Sequence, residues 1–486
     1  MLLFICFNYS LLRNLKDTVV VTAVASGAEA IPFIKVWFML PMAVILTYVF
    51  TKLSNRFTQE HVFYIMISGF LCVFALFAYV LYPLRDIIHP HQTADYLQTI
   101  LPPGCAGFLS AFRNWSFTIF YVMSELWSSI VMHVLFWGFA NEVTKISEAR
   151  YYYSFLGVFS NVAAILAGSL GFYFSNIEFN PSIPFGNDAW EQALISIITI
   201  AILLGILTML IFRWMNCKVL NVPDYEDIHK AAKPVQLKKK MSIKESFEYL
   251  SQSKYLLCIA AVVVGYNFSI NVVEVIWKDK LHELYPDPKG FNICLNEVTI
   301  MVGIISTCMS MGMAFMIGRY GWTWTALITP LTLLVTSAGF FIFMFWQEEL
   351  STFAIAVSGM TPLAIAVFFG GAHNTLSKAM KYSVFDGTKE MAFIPLSHEW
   401  KLKGKAAIDG IGSRFGKSGG SAVLQGFLIF FASLSASAPY IAVILTAVIF
   451  VWIYAVKSLG KQFNEISSLE PEESKPLPEI LAEVKA

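Results

Sequence analysis

Charge is what this sequence lacks most. Of its 486 residues only 14% are Asp, Glu, Lys or Arg, whereas 57% are hydrophobic and the mean hydropathy is +0.62. A soluble domain carries about 25% charge, so a water-soluble globular fold is excluded and a polytopic membrane protein is expected. The formal net charge of +1 is too small to draw a polyanion by a global field, and no nucleic-acid partner is expected. Cysteine is sparse: Cys6, Cys72, Cys105, Cys217, Cys258, Cys294 and Cys308 lie in or beside apolar stretches and form no CxxC pair. That spacing gives no support for metal or redox chemistry and suits buried packing. A P-loop, a clustered catalytic triad and a metal signature are also missing, so no cofactor and no enzymatic reaction is expected. There is no cleavable signal peptide pattern, because Arg13, Lys16 and Asp17 interrupt the first apolar run.

What the sequence does have is apolar runs of roughly 20 residues, the length that crosses a bilayer. They fall at about 1–25, 33–52, 61–82, 108–139, 150–175 and 190–213, and again at 255–277, 293–318, 323–346, 352–377, 406–433 and 438–457. Helices alone satisfy their backbone in lipid at this run length. Between the sixth and seventh runs lies Arg213–Lys254, with nine basic and five acidic residues. The expected fold is therefore all-α, twelve transmembrane helices in two six-helix bundles, 1–213 and 255–458. A basic connector, 214–254, joins them and a polar tail, 459–486, follows. The stretch 83–107 reads as a loop because of its prolines. Asn8–Leu11 and Asn267–Ile270 echo each other faintly, in keeping with two related halves.

If the amino terminus is inside, twenty basic residues fall in the inner connections. Five fall outside: Lys35, Arg85, Lys278, Lys280 and Lys289. This is the asymmetry of the positive-inside rule, so both termini are expected in the cytoplasm.

An ionisable side chain at the centre of a membrane helix costs about 2.5–3.5 kcal/mol on insertion scales and is a functional signal. The first run carries Arg13 and Lys16 on one face. The fourth carries Asn114, Thr118, Tyr121, Glu125 and Ser128, and the seventh carries Asn267, Asn271, Glu274 and Lys278, all at helical intervals of three and four. Asn374, Lys378 and Lys381 share a face late in the tenth. Arg414, Lys417, Ser421 and Gln425 share one in the eleventh, beside the small-residue run Gly416–Gly420. Blander readings stand beside these. Arg13 can pair with Asp17 at i, i+4, the glutamates can lock the bundle through Lys16 and Lys417, and Lys278 and Lys378 can anchor at the interface.

Several stretches together resemble the ATP/ADP translocase family, nucleotide transporters of obligate intracellular bacteria and plastids. They are Asn8–Thr18, Ser26–Lys35, Ser124–Trp127, Lys381–Ser383, Gly387–Leu396, Lys403–Asp409 and Gly416–Gly420. The run Ser397–Trp400 departs from the pattern in being aromatic rather than acidic. The resemblance implies a major-facilitator-like architecture, and a lysine of the first helix, glutamates of the fourth and seventh, and a late lysine as transport residues. These match Lys16, Glu125, Glu274 and Lys417, with Lys378 and Lys405 in similar surroundings to the last.

The resulting expectation is an antiporter of the bacterial inner membrane, a monomer that takes in host ATP and returns ADP, with phosphate accompanying ADP. Lys16, Arg13, Glu125, Tyr121, Asn271, Glu274, Lys378, Arg414 and Lys417 would form the substrate site, with Tyr121 against adenine. The alternative is a proton-coupled importer of several nucleotides, with Glu125 or Glu274 as proton carrier. A membrane-embedded enzyme or receptor is the reading from another class.

Overall fold

The computed structural model describes residues 1–144, 146–219, 253–396, 404, 405, 408 and 413–468. Within these, the side chains of residues 142, 146–155, 219, 314, 413–418, 464 and 466–468 are left out. Most of the 214–254 connector, the run Ser397–Trp400 and residues 469–486 therefore lie outside the described residues. Among the described residues there are helices and no strand. This is what a chain with so few charges requires once its backbone must be satisfied away from water.

Among the described residues, nine helices are long and apolar enough to cross a membrane. We label them with their companions in chain order. In the first half they are α1 (Leu2–Val21), α2 (Ala30–Ser54), α3 (Gln59–Leu81), α4 (Trp115–Asn141), α5 (Ile146–Asn176) and α6 (Ala189–Lys218). The second half holds α7 (Lys254–Leu284), α8 (Pro288–Met313), α9 (Phe315–Phe345), α10 (Pro362–Ala392), α11 (Ser413–Phe431) and α12 (Leu434–Ser468). Three of the twelve are not among the nine. In α1 the charges of Arg13, Lys16 and Asp17 break the apolar window, and the apolar part of α11, Gly419–Phe431, is short. The third, α10, makes a tenth span only when joined to Gln347–Ser358, from which it is bent by 77°.

That bend corrects the sequence reading of 352–377 as one run. Gly359 closes the first arm at φ 71°, a conformation glycine adopts without a Cβ clash, and Pro362 opens the next in its first turn. The stretch 83–107 is corrected too, since it holds short helices at Arg85–Ile88 and His91–Ile100. Its prolines bound these helices: Pro90 precedes the second, and Pro102 and Pro103 follow it. Asn114 falls just before α4 instead of inside it.

Two helices lie at the centre. Sixteen of the twenty residues of α1 are buried, and α7 has 72% of its most apolar window buried, against 11% for α2. The halves meet along α5 and α8. Side chains are absent where the backbones approach: a Cβ on Gly168 or Gly303 would overlap Ile300 or Ile165, and one on Gly171 would overlap the Asn296 amide. Small residues permit such approach in membrane bundles. Neutral polar groups stitch the same seam. Asn292 donates to Ser175 at 2.8 Å, Ser306 to Asn161 at 3.1 Å, and Asn14 of α1 to Asn296 at 2.9 Å.

Within the second half, Trp277 of α7 donates to the Val367 carbonyl at 2.9 Å and lies against Gly370 of α10, while Tyr266 donates to the Ser377 carbonyl at 3.1 Å. These bonds fix α7 against α10, which sets the register of the charged residues described next.

Two outcomes follow from this packing. Gly303→Leu places a side chain where α5 already sits, and overpacking of this kind costs about 1–3 kcal/mol. Thermal unfolding in detergent is expected to shift down, whereas Gly138→Leu, with open space at its Cβ, is expected to leave it unmoved. His89, outside the spans, is buried against Phe117 and shares a 2.7 Å hydrogen bond with Ser116, and burial lowers its pKa from 6.5 to about 4. A depressed pKa on a base means the unfolded chain takes up the proton first as pH falls. Its contribution is therefore complete above pH 6.5 and is lost progressively from there to about pH 4. Limited proteolysis within 85–105 should accelerate over that window in the wild type, and His89→Gln should flatten the pH dependence.

Candidate functional site

The polar stripes predicted on separate helices converge on one cavity. It has a volume of about 120 Å³, is open to solvent, and takes walls from both halves: α1, α2 and α4 from the first, α7 and α10 from the second. That size lies below the usual range of about 300–1,000 Å³ for small-molecule sites. Its lining carries six cations (Arg13, Lys16, Lys35, Lys278, Lys378, Lys381) and three carboxylates (Asp17, Glu125, Glu274). The excess is three positive charges.

Six of these nine groups form an unbroken alternating chain. Glu125 is 3.2 Å from Lys16, which is 2.9 Å from Asp17; Asp17 reaches across to Lys278 at 2.8 Å. Lys278 is 3.2 Å from Glu274 on the next turn of α7, and Glu274 is 2.9 Å from Lys378 on α10. The order is minus, plus, minus, plus, minus, plus, and it runs from α4 through α1 and α7 to α10. Taking an isolated ion from water into an apolar interior costs several kcal/mol, and close opposite charges offset that cost. The first half contributes a set of net −1 (Glu125, Lys16, Asp17) and the second a set of net +1 (Lys278, Glu274, Lys378).

The remaining three cations face no carboxylate within ion-pair distance among the described residues. Arg13 donates to Thr299 at 3.3 Å and lies 5.9 Å from the Tyr9 ring. Lys381 is 5.2 Å from the ring of the exposed Tyr382. Lys35 donates to the Asn271 amide oxygen at 3.3 Å. Together they account for the excess positive charge.

The structure thus brings together Lys16, Arg13, Glu125, Tyr121, Asn271, Glu274 and Lys378. Arg414 and Lys417 lie on the backbone of α11, but their side chains are outside the described residues. Three details differ from the expectation. Arg13 does not bridge to Asp17, because the Asp17 carboxylate is held by Lys16 and Lys278. Lys378 and Lys278, read as interface anchors, are both in the chain, and Lys278 is 3% exposed. Tyr121 is wholly buried with the Lys16 ammonium 3.8 Å from its ring centre, a cation–π contact that leaves no open face for a base. Its hydroxyl has no hydrogen-bond partner among the described residues.

Lys35 is the residue that sequence reasoning missed. It sits five residues after the start of α2, and the charge count assigned it to an outer connection although the apolar run 33–52 contains it. Its signal in the sequence is the motif Ser26–Lys35, which ends on this lysine.

Comparison with known proteins places this geometry. The family model described as "TLC ATP/ADP transporter" matches residues 1–463. The chain belongs to the TLC ATP/ADP transporter family. Among its relatives, the "ADP,ATP carrier protein 1" of Chlamydia trachomatis serovar D is 42% identical over 475 residues, 97% of this chain and 89% of that protein. The chloroplastic "ADP,ATP carrier protein 1" of Arabidopsis thaliana is 41% identical over 471 residues, 96% of this chain and 74% of that one. Among solved structures the fold resembles a D-xylose-proton symporter, with TM-score 0.54, 11% identity and coverage of 93% and 94% of the two chains. It also resembles the inward-open xylose transporter of E. coli, with TM-score 0.51, 12% identity and coverage of 94% and 97%. This member of the TLC family is a multi-pass membrane protein with the expected major-facilitator-like fold.

The connectivity of the charge chain orders its variants. Among the described residues Glu274 is the sole carboxylate on Lys378, so Glu274→Gln strands a lysine; breaking a buried pair this way costs about 3–5 kcal/mol. Glu125→Gln and Asp17→Asn leave each lysine at least one carboxylate. Both are expected to lower thermal stability in detergent without ligand by less than Glu274→Gln does. An equal or reversed ranking would show that the chain does not carry the charge balance.

Proposed function

We propose that this protein is a nucleotide antiporter that takes up external ATP in exchange for internal ADP by alternating access between its two halves. The carrying observation is the excess of three positive charges in a cavity shared by both halves, in a chain of the TLC family. ADP and ATP carry roughly −3 and −4 near neutral pH, since a terminal phosphate has its second pKa near 6. Their phosphate chains therefore match the uncompensated Arg13, Lys35 and Lys381, and charge-assisted bonds in a partly desolvated cavity are stronger than at a surface. The names of the relatives, ADP,ATP carrier proteins, agree with this substrate class.

On this reading the base lies towards Tyr9 and Tyr382, whose rings are reached from the cavity, and the Tyr121 hydroxyl is left to donate to substrate. Arg414 and Lys417 of α11 remain candidates for the same cavity. All twelve helices cross the membrane, in bundles 1–213 and 255–458, with the connector and both termini in the cytoplasm of a bacterium. The protein acts as a monomer and phosphate accompanies ADP. ATP is cargo, so no chemical step and no cofactor is needed. Proton coupling through Glu125 or Glu274 is the weaker reading, because both carboxylates are already held by lysines.

The test is counter-exchange in proteoliposomes. Labelled ATP should enter vesicles preloaded with ADP and fail to accumulate in empty ones. Accumulation in empty vesicles driven by an inward proton gradient would instead establish the proton-coupled importer.

A further inference from the structure

Lys35 stands apart from the three paired lysines of the cavity. Lys16, Lys278 and Lys378 each hold at least one carboxylate within 3.2 Å. Lys35 lies in the electrostatic range of Glu125 and Glu274 yet forms an ion pair with neither. Its bond to the Asn271 oxygen is long, at 3.3 Å, and the acceptor is neutral. That acceptor is itself fixed, since the Asn271 amide nitrogen donates to the Asn267 carbonyl at 2.7 Å. An ammonium carried into a membrane protein against a single weak amide is under-satisfied: it has three donors and one partner among the described residues.

Its position adds direction. Tyr9 and Lys16 are seven residues apart on α1, about 10 Å along a helix. Tyr9, with Tyr382 late in α10, lies at one end of the cavity. Lys35, near the start of α2, enters from the end where α1 finishes, and its ammonium reaches Asn271, about two turns before Lys278 on α7. A nucleotide with its base at the tyrosines extends its phosphates past Arg13 towards Lys35.

We propose that Lys35 binds the terminal phosphate of the nucleotide and so sets the preference for di- and triphosphates over monophosphates. This rests on the nucleotide reading above. On binding, phosphate oxygens replace Asn271 as the partner of Lys35, and no carboxylate must be displaced.

Calorimetric titration of the purified protein with ATP, ADP and AMP tests it. A lost charge-assisted contact predicts that Lys35→Gln weakens ATP and ADP by about 10- to 100-fold, leaves AMP nearly unchanged, and is restored by Lys35→Arg. Ligand-free thermal stability should not fall, because no ion pair is lost. Asn271→Asp gives a second, independent measure: it supplies Lys35 with an internal carboxylate and should weaken ATP and ADP selectively over AMP. Unchanged ATP affinity in either variant, or an equal loss for all three nucleotides, overturns the assignment while nucleotide transport stands. If the wild type binds none of the three, the nucleotide reading itself fails and takes this inference with it.

Discussion

The 2.8 Å contact between Asp17 and Lys278 is the constraint on which the rest of the site depends. It joins a carboxylate of the first half to a lysine of the second, with both side chains 4% exposed. A pair buried this deeply adds little net stability, because the desolvation cost of two ions consumes most of their attraction. Its arrangement is better explained by what happens when the halves separate. Asp17 retains Lys16, and Lys278 retains Glu274. The contact can open without leaving either ion alone, which a single buried pair does not permit.

The seam of α1, α5 and α8 is built from different material. There the halves meet through glycine contacts and neutral amide and hydroxyl bonds such as Asn14–Asn296, Asn14–Thr299 and Thr18–Asn292. Neutral bonds in a bundle are worth about 0.6 kcal/mol on average, and they tolerate small sliding. Two kinds of contact thus connect the halves, an ionic latch beside the cavity and a close-packed polar seam along α5 and α8. On the antiport reading, the halves rock about the seam while the latch and the substrate exchange partners. A nucleotide that binds Arg13, Lys35 and Lys381 neutralises the cavity, so the energetics of opening differ between the loaded and empty forms. This is the differential interaction that any ligand-driven shift requires.

Much of the site was legible because helices repeat. Tyr121 and Glu125 are four apart, as are Asn267 and Asn271, while Asn271 and Glu274 are three apart, and all of these line the cavity. The same arithmetic delivered Arg13 and Lys16. It could not say who pairs with whom, since Asp17–Lys278 and Lys378–Glu274 join residues 261 and 104 positions apart. The anchor reading of Lys278 and Lys378 failed for a related reason. Distance from a helix end locates a residue along the membrane normal but not around the helix, and both lysines point inward to carboxylates. The prolines of 83–107 and the glycine at 359 were visible, but they mark boundaries of helices as readily as loops, so only the packed chain decided between the two.

Lys381 was placed by its spacing from Asn374 and Lys378, whereas Lys35 escaped the periodic reading. Each sits in a wide, π-type turn, Ile34–Met39 in α2 and Lys381–Phe385 in α10, and a third such turn, Ser128–Phe136, begins three residues after Glu125. A wide turn inserts a residue into the helical repeat, so side chains beyond it no longer follow the 3.6 spacing that a sequence pattern assumes. Such turns occur often at functional sites, because they cost the helix regular hydrogen bonds and persist where the displaced side chain is needed. Here the turns in α2 and α10 carry two of the three cations without a carboxylate, one on each half. The paired ions lie mostly on regular helix, where i, i+4 geometry helps to hold Lys278 to Glu274. The division of labour between balanced and unbalanced charge is therefore written into the backbone: regular helix holds the latch, and wide turns present the cations left over for an anion.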